Sequence, residues 1–176
     1  NLALPNSPLL SNTTPSHNTP VGYKGLYANT TGQYNTVVGS EALDNTTTAS
    51  HNTAVGYGSL ADATTGQYNT AIGSQALLLN TTASGNSAVG YLAMYANTEG
   101  EFNTALGREA LEANTTADNN TAVGFRALTS NTTGTSLVAV GRDALGSSTT
   151  ASENTAVGYQ SLYSTVTGIE NVAVGY

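Results

Sequence analysis

The chain has 176 residues and a mass of 17.8 kDa, with no Cys, no Trp and 2 Phe, and only 9% of it is charged, against roughly 25% in ordinary globular domains. Its 11 acidic and 4 basic residues give a net charge of −7 and a pI near 4.4, which excludes a binder of phosphate backbones because counterion release needs clustered cations. The absence of Cys removes disulfide frameworks, thiolate nucleophiles and zinc ribbons, and no apolar run long enough for a membrane span or a secretory leader is present.

Neutral polar groups must solvate such a chain, and 19 Asn and 29 Thr fill that role. Burial has to come from many small contacts. The first residue is Asn, as expected of a segment cut from something longer.

Residues 1–17 read as a degenerate or capping repeat, since Leu9 and Asn12-Thr13-Thr14 keep the register of Leu26 and Asn29-Thr30-Thr31, but Pro5 stands where glycine is due. Terminal repeats are commonly atypical in this way. From residue 18 onward a glycine returns at a constant 17-residue interval, at Gly22, Gly39, Gly56, Gly73, Gly90, Gly107, Gly124, Gly141, Gly158 and Gly175. Residues 18–176 therefore make nine complete units and a partial tenth of one repetitive segment, each reading N-T-A-V-G-Y-x-A-L-x-x-N-T-T-G-x-x. Positions are numbered below as columns 1–17, counted from Asn18 and its equivalents. Column 6 alternates Tyr23, Ser40, Tyr57, Ser74 and column 15 alternates Gly32, Ala49, Gly66, Ala83, so a 34-residue period lies over the shorter one.

Helical repeats of similar period need long amphipathic runs, and none exists here. Glycine and the Asn-Thr-Thr cluster break every unit, while Val, Thr and Tyr favour strands. The pattern predicts an all-β fold, a parallel β-solenoid or β-roll in which each 17-residue unit is one coil with two strands of four or five residues. Coils stacked at about 4.8 Å would make a rod on the order of 50 Å long.

Two apolar columns are the predicted core. Column 4 carries Val21, Val38, Val55, Ile72, Val89, Leu106, Val123, Val140, Val157 and Val174; column 9 carries Leu26, Leu43, Leu60, Leu77, Met94, Leu111, Leu128, Leu145 and Leu162. Each follows an Ala or another small residue in nearly every unit, and adjacent strand residues face opposite sides, so both strands read as buried on two faces. One face would fill the roll and the other would meet another chain. The thin core agrees, because so few apolar atoms per coil barely offset the entropy of ordering the whole coil; a closed homotrimer, or less simply a dimer, is expected. The column-5 glycines should end the first strand, and Asn at columns 1 and 12 should bond the turns and stack into ladders.

Convergent chemistry is sparse. His17 and His51 share a turn column but lack further ligands, and Glu109 with Glu112, or Glu99 with Glu101, reads better as a solvated face than as a glycosidase pair. No catalytic residue, metal or cofactor is assigned, and the N-x-T sequons at Asn29, Asn80 and Asn131 fall out of the repeat itself. The alternating Tyr23, Tyr57, Tyr91, Phe125 and Tyr159 either form a stripe that binds a receptor or glycan or pack between turns. The Thr pairs of columns 13 and 14, such as Thr30-Thr31 and Thr47-Thr48, raise ice binding as an alternative function, although consecutive residues point to opposite sides and the flanking Asn and Gly read as a turn rather than a flat face.

The segments Asn52-Thr53-Ala54-Val55-Gly56-Tyr57 and Asn154-Thr155-Ala156-Val157-Gly158-Tyr159, with the x-A-L signature, resemble head repeats of trimeric autotransporter adhesins and the similar repeats of trimeric bacteriophage tail fibres. The resemblance spans essentially the whole chain. It implies a left-handed parallel β-roll with three chains around an axis, sharing the Val and Ala columns between roll interior and trimer centre, and a role in surface attachment. The adhesin unit is shorter, so the Asn-Thr-Thr segment reads as an enlarged outer turn. The expectation is a non-enzymatic fibre segment outside the cell, on a bacterial surface or a virion, whose partners are its own copies and a surface receptor or glycan, with neither nucleic acid nor membrane insertion.

Overall fold

The Thr-Ala-Val triplet extends because β-branched ends suit a pleated surface, and the glycine after it stops the strand. In the computed structural model, which describes residues 17–176, this yields ten three-residue strands. They are β1 (Thr19–Val21), β2 (Thr36–Val38), β3 (Thr53–Val55), β4 (Thr70–Ile72), β5 (Ser87–Val89), β6 (Thr104–Leu106), β7 (Thr121–Val123), β8 (Val138–Val140), β9 (Thr155–Val157) and β10 (Val172–Val174). All pair in parallel and in sequence order within one sheet, Thr19 opposite Thr36 at one end and Val172 opposite Thr155 at the other. The chain is a β-solenoid whose coil is the 17-residue repeat. Residues 1–16, and with them most of the expected capping repeat, lie outside the described residues.

Among the described residues the second strand of each coil is absent. Columns 6 to 11 form turns whose backbone still bonds coil to coil: the Leu26 N–H donates to the Ala42 carbonyl at 3.0 Å and Ala28 to Asp44 at 3.0 Å, while Glu41 donates back to Tyr23 at 2.8 Å. Column 9 is left-handed throughout, with φ of 58° at Leu26, 50° at Leu43 and 53° at Leu128. That conformation costs an L-residue about 1–2 kcal/mol, and full burial of a leucine returns about 1.5–3 kcal/mol. Burial prevails, since the column from Leu26 to Leu145 is wholly buried. The Ala-Leu pair thus sends both side chains inward from a turn, rather than to two faces of a strand.

The other expected core column is corrected. Within each strand the middle residue, usually Ala, points inward and is fully buried in nearly every coil, so its neighbours point out. Val21, Val55, Val89, Val123, Val140 and Val157 are only half-buried, and Val38, Ile72, Leu106 and Val174 are exposed, at 41%, 40%, 48% and 78%. The interior is filled by the leucines and by two columns of mostly alanine, which leaves the bulkier strand residue on the outside.

Asparagine completes the interior. Column-1 residues such as Asn35, Asn69 and Asn103 are buried; each Oδ1 accepts the backbone N–H of the next coil's column 1, and each Nδ2 crosses its own coil to a column-15 carbonyl. Column 12 sends a second amide to the same carbonyl, so Ala117 O accepts from Asn103 at 2.8 Å and Asn114 at 3.1 Å. These bonds match the polar groups of two turns inside the coil, where an unmatched one would cost about 1–3 kcal/mol. Leu137 replaces Asn once and is fully buried, its own N–H still bonded to Asn120 Oδ1 at 2.9 Å.

The 34-residue period also has a physical basis. In coils with Gly at column 15, the next backbone N–H is capped by a short oxygen-bearing side chain from the following coil: Gln33 by Ser50 Oγ, Gln67 by Ser84 Oγ, Glu101 by Asp118 Oδ1 and Thr135 by Ser152 Oγ. A Cβ on Gly32, Gly66, Gly100 or Gly134 would collide with the Ala carbonyl of that following coil. Coils therefore come in dissimilar pairs.

Column 5 needs glycine twice over. At Gly124 φ is +133° and a Cβ would sit 2.6 Å from Gly141 O. Gly124→Ala is expected to destabilise the fold by about 3 kcal/mol in thermal or denaturant melts. Gly58 differs, because its φ of +60° matches the left-handed residues of its column and a Cβ there meets nothing closer than 3.5 Å. Gly58→Asn should stay within about 0.5 kcal/mol of the parent.

Candidate functional site

Three surfaces follow from this coil geometry. The first is the outer face of the sheet, where columns 2 and 4 project from every strand. Column 2 is Thr in seven strands, Ser87 in one and Val138 and Val172 in two, and column 4 is Val, Ile or Leu throughout. No charged residue interrupts it along ten strands.

The second runs along the turn after the sheet. Column 6 stacks Tyr91, Arg108, Phe125, Arg142 and Tyr159, with guanidinium carbons 5.5 to 5.7 Å from the ring centres on either side. Column 7 beside it holds Glu109, Arg126 and Asp143, and ion pairs tie the two columns together: Arg108 to Glu109 at 2.7 Å, Arg142 to Asp143 at 3.0 Å, and Arg126 to both acids at 3.9 Å. Of the expected aromatic stripe, Phe125 is half-buried and Tyr23, Tyr57, Tyr91 and Tyr159 are exposed. In the early coils the column alternates with Ser40 and Ser74 instead, and there the Glu41 carboxylate accepts a hydrogen bond from Tyr57 and raises its phenol above the usual range.

The third is column 17, where His17, Tyr34, His51 and Tyr68 form one stack with ring centres 4.8 to 4.9 Å apart. The two histidines are thus not adjacent; each packs on tyrosine. Among the described residues no group of three or more His, Asp or Glu is placed to hold a metal, and no concave pocket is present. Glu109, one of the paired-carboxylate candidates, is engaged by two arginines.

Columns 13 and 14, the basis of the ice-binding alternative, form a bend rather than a flat Thr face. Column-13 hydroxyls are taken up within the coil stack, as Thr30 Oγ1 donates to Thr47 O at 2.9 Å and Thr132 Oγ1 to Thr149 O at 3.1 Å. Column 14 stays exposed as a single line of Thr broken by Glu99.

No known family, curated protein or solved structure matches the chain. No helix among the described residues is long and apolar enough to cross a membrane.

The ion pairs also differ in what they stabilise. Asp44 lies 3.8 Å from Lys24, yet its pKa is raised, because burial outweighs the cation and Glu41 and Asp62 add repulsion. A carboxyl whose folded pKa exceeds its unfolded one costs stability as pH rises through that interval, and keeps the cost above it. Asp44→Asn is expected to raise Tm at pH 7 and to leave it unchanged at pH 3, where the carboxyl is protonated in both states.

Proposed function

We propose that this chain is a structural segment of a homotrimeric fibre, projecting from a bacterial surface or a virion and serving multivalent attachment. The observation that carries the reading is the uncharged Thr and Val, Ile or Leu face of the sheet, continuous over ten strands and apolar along column 4. A long exposed apolar strip on a soluble protein marks an interaction site. Every strand presents the same face, so the matching occupant is another copy in the same register, and a cyclic arrangement closes without leaving a free face. The strip is narrow, two outward side chains per strand, which suits coils meeting edge to edge around an axis with column 4 toward the centre. Interface area then grows with coil number, and any site on the outer turns is displayed three times per level, so weak contacts add by avidity.

A second reading rests on column 2 of the same face, where Thr hydroxyls recur about every 4.8 Å beside a line of methyl groups about 7 Å away along the strand. That regular array suits ice. Both readings use one face, so association and ice binding compete for it.

Light scattering separates them. A mass three times 17.8 kDa supports the fibre, whereas a stable monomer with thermal hysteresis supports ice binding and overturns it. Val123 is half-buried and points outward, while its neighbour Ala122 is wholly buried inside the coil. Val123→Asp should yield a monomer with unchanged circular dichroism, and Ala122→Asp should lose the fold itself.

A further inference from the structure

Three of the chain's four cationic residues lie within two coil heights of one another, around a single phenylalanine. The guanidinium carbons of Arg108, Arg126 and Arg142 are 5.6, 6.0 and 5.6 Å from the Phe125 ring centre. Their side chains are nonetheless 62%, 46% and 60% exposed. Rings and neighbouring acids hold them in place: Arg142 reaches Asp143 through Nε, at 3.0 Å, which leaves its terminal amino groups as donors. Arg108 is fixed to Glu109 through Nε and one terminal nitrogen. A planar guanidinium fixed in this way is preorganised to bind a carboxylate or sulfate through paired hydrogen bonds.

From this ladder we infer a binding site for an acidic polysaccharide, a linear chain with one carboxylate or sulfate per disaccharide. Arg108 and Arg142 are two coils apart, about 9.6 Å at the spacing of parallel strands, which approximates the disaccharide repeat of an extended glycan. Phe125 is sandwiched between them and sets their spacing, and Tyr91 and Tyr159 hold their outer faces, so the guanidinium edges rather than a ring face are presented to the glycan. The spacing also selects against denser polyanions. Glu109 and Asp143 leave the cluster one net positive charge on a chain of net charge −7, and a nucleic acid, with a charge about every 1.7 Å, would meet far more repulsion than attraction. This site rests on the attachment role proposed above and supplies its ligand class.

Binding to the intact chain is read by calorimetry with hyaluronan oligosaccharides for the carboxylate form, keratan sulfate for the sulfate form and neutral dextran as control. Saturable binding to either anionic glycan, absent with dextran and weakened by added salt, is expected. The double variant Arg108→Ser with Arg142→Ser installs the residue that Ser40 and Ser74 carry in earlier coils, so the coil tolerates it, and it should bind at least tenfold more weakly with unchanged circular dichroism. Phe125→Tyr should keep affinity within about twofold, because it preserves the ring that spaces the two arginines. No binding to either glycan, equal binding to dextran, or undiminished binding by the double variant overturns the site. A trimer that ignores both glycans removes the site and leaves the fibre, and a monomer that binds them removes the fibre and leaves the site.

Discussion

Each coil must exchange hydrogen bonds with the coil before it and the coil after it at the same positions, so a residue chosen for any column has to stack on the residues one coil away. This single constraint orders the molecule. It explains the three-residue strands, since a short extended piece per coil is enough when every other column also bonds along the axis. It explains why asparagine is a core residue here, because its amide can give one bond across the coil and accept another along it. It also admits left-handed residues in bulk: once Leu26 is left-handed, Leu43 and Leu60 must be too for the backbone to stay in register.

The period, the strand at Thr-Ala-Val, the turn glycines and the asparagine ladders were legible because each is a matter of spacing and residue type. The fate of the valines and leucines was not. Both columns pair an apolar residue with a small one, and a strand model sends the members of such a pair to opposite faces. The difference lies in backbone torsion: Val123 sits in a strand and faces out, whereas Leu128 has a φ of 53° and shares the interior with Ala127. Nothing in a leucine's identity announces a left-handed backbone, which ordinarily selects Gly, Asn or Asp. The Ala-Leu pair is thus spent inside the coil and presents no second face. The outward valines, by contrast, lie on one continuous face of the sheet.

The surface columns show what a stacked architecture does with rare residues. Single substitutions at column 6 that look like drift in the sequence, Ser40 and Ser74 giving way to Arg108 and Arg142, become a vertical assembly once coils are superposed. The arginines stand far apart along the chain, and only the 17-residue register shows that they surround one ring. The capping side chains Ser50, Ser84, Asp118 and Ser152 escape notice in the same way, their partners being one coil distant.

That pairing of coils also bears on which lengths of rod are self-consistent. A coil with glycine at column 15 relies on the following coil to cap its backbone, and its alanine-bearing successor supplies the cap and fills the space. Removing or adding a single repeat would put two glycine coils or two alanine coils in succession and break the alternation of capped and capping coils. The rod is therefore built in pairs of coils, and its smallest self-consistent length step is two repeats, set by one capping oxygen per pair.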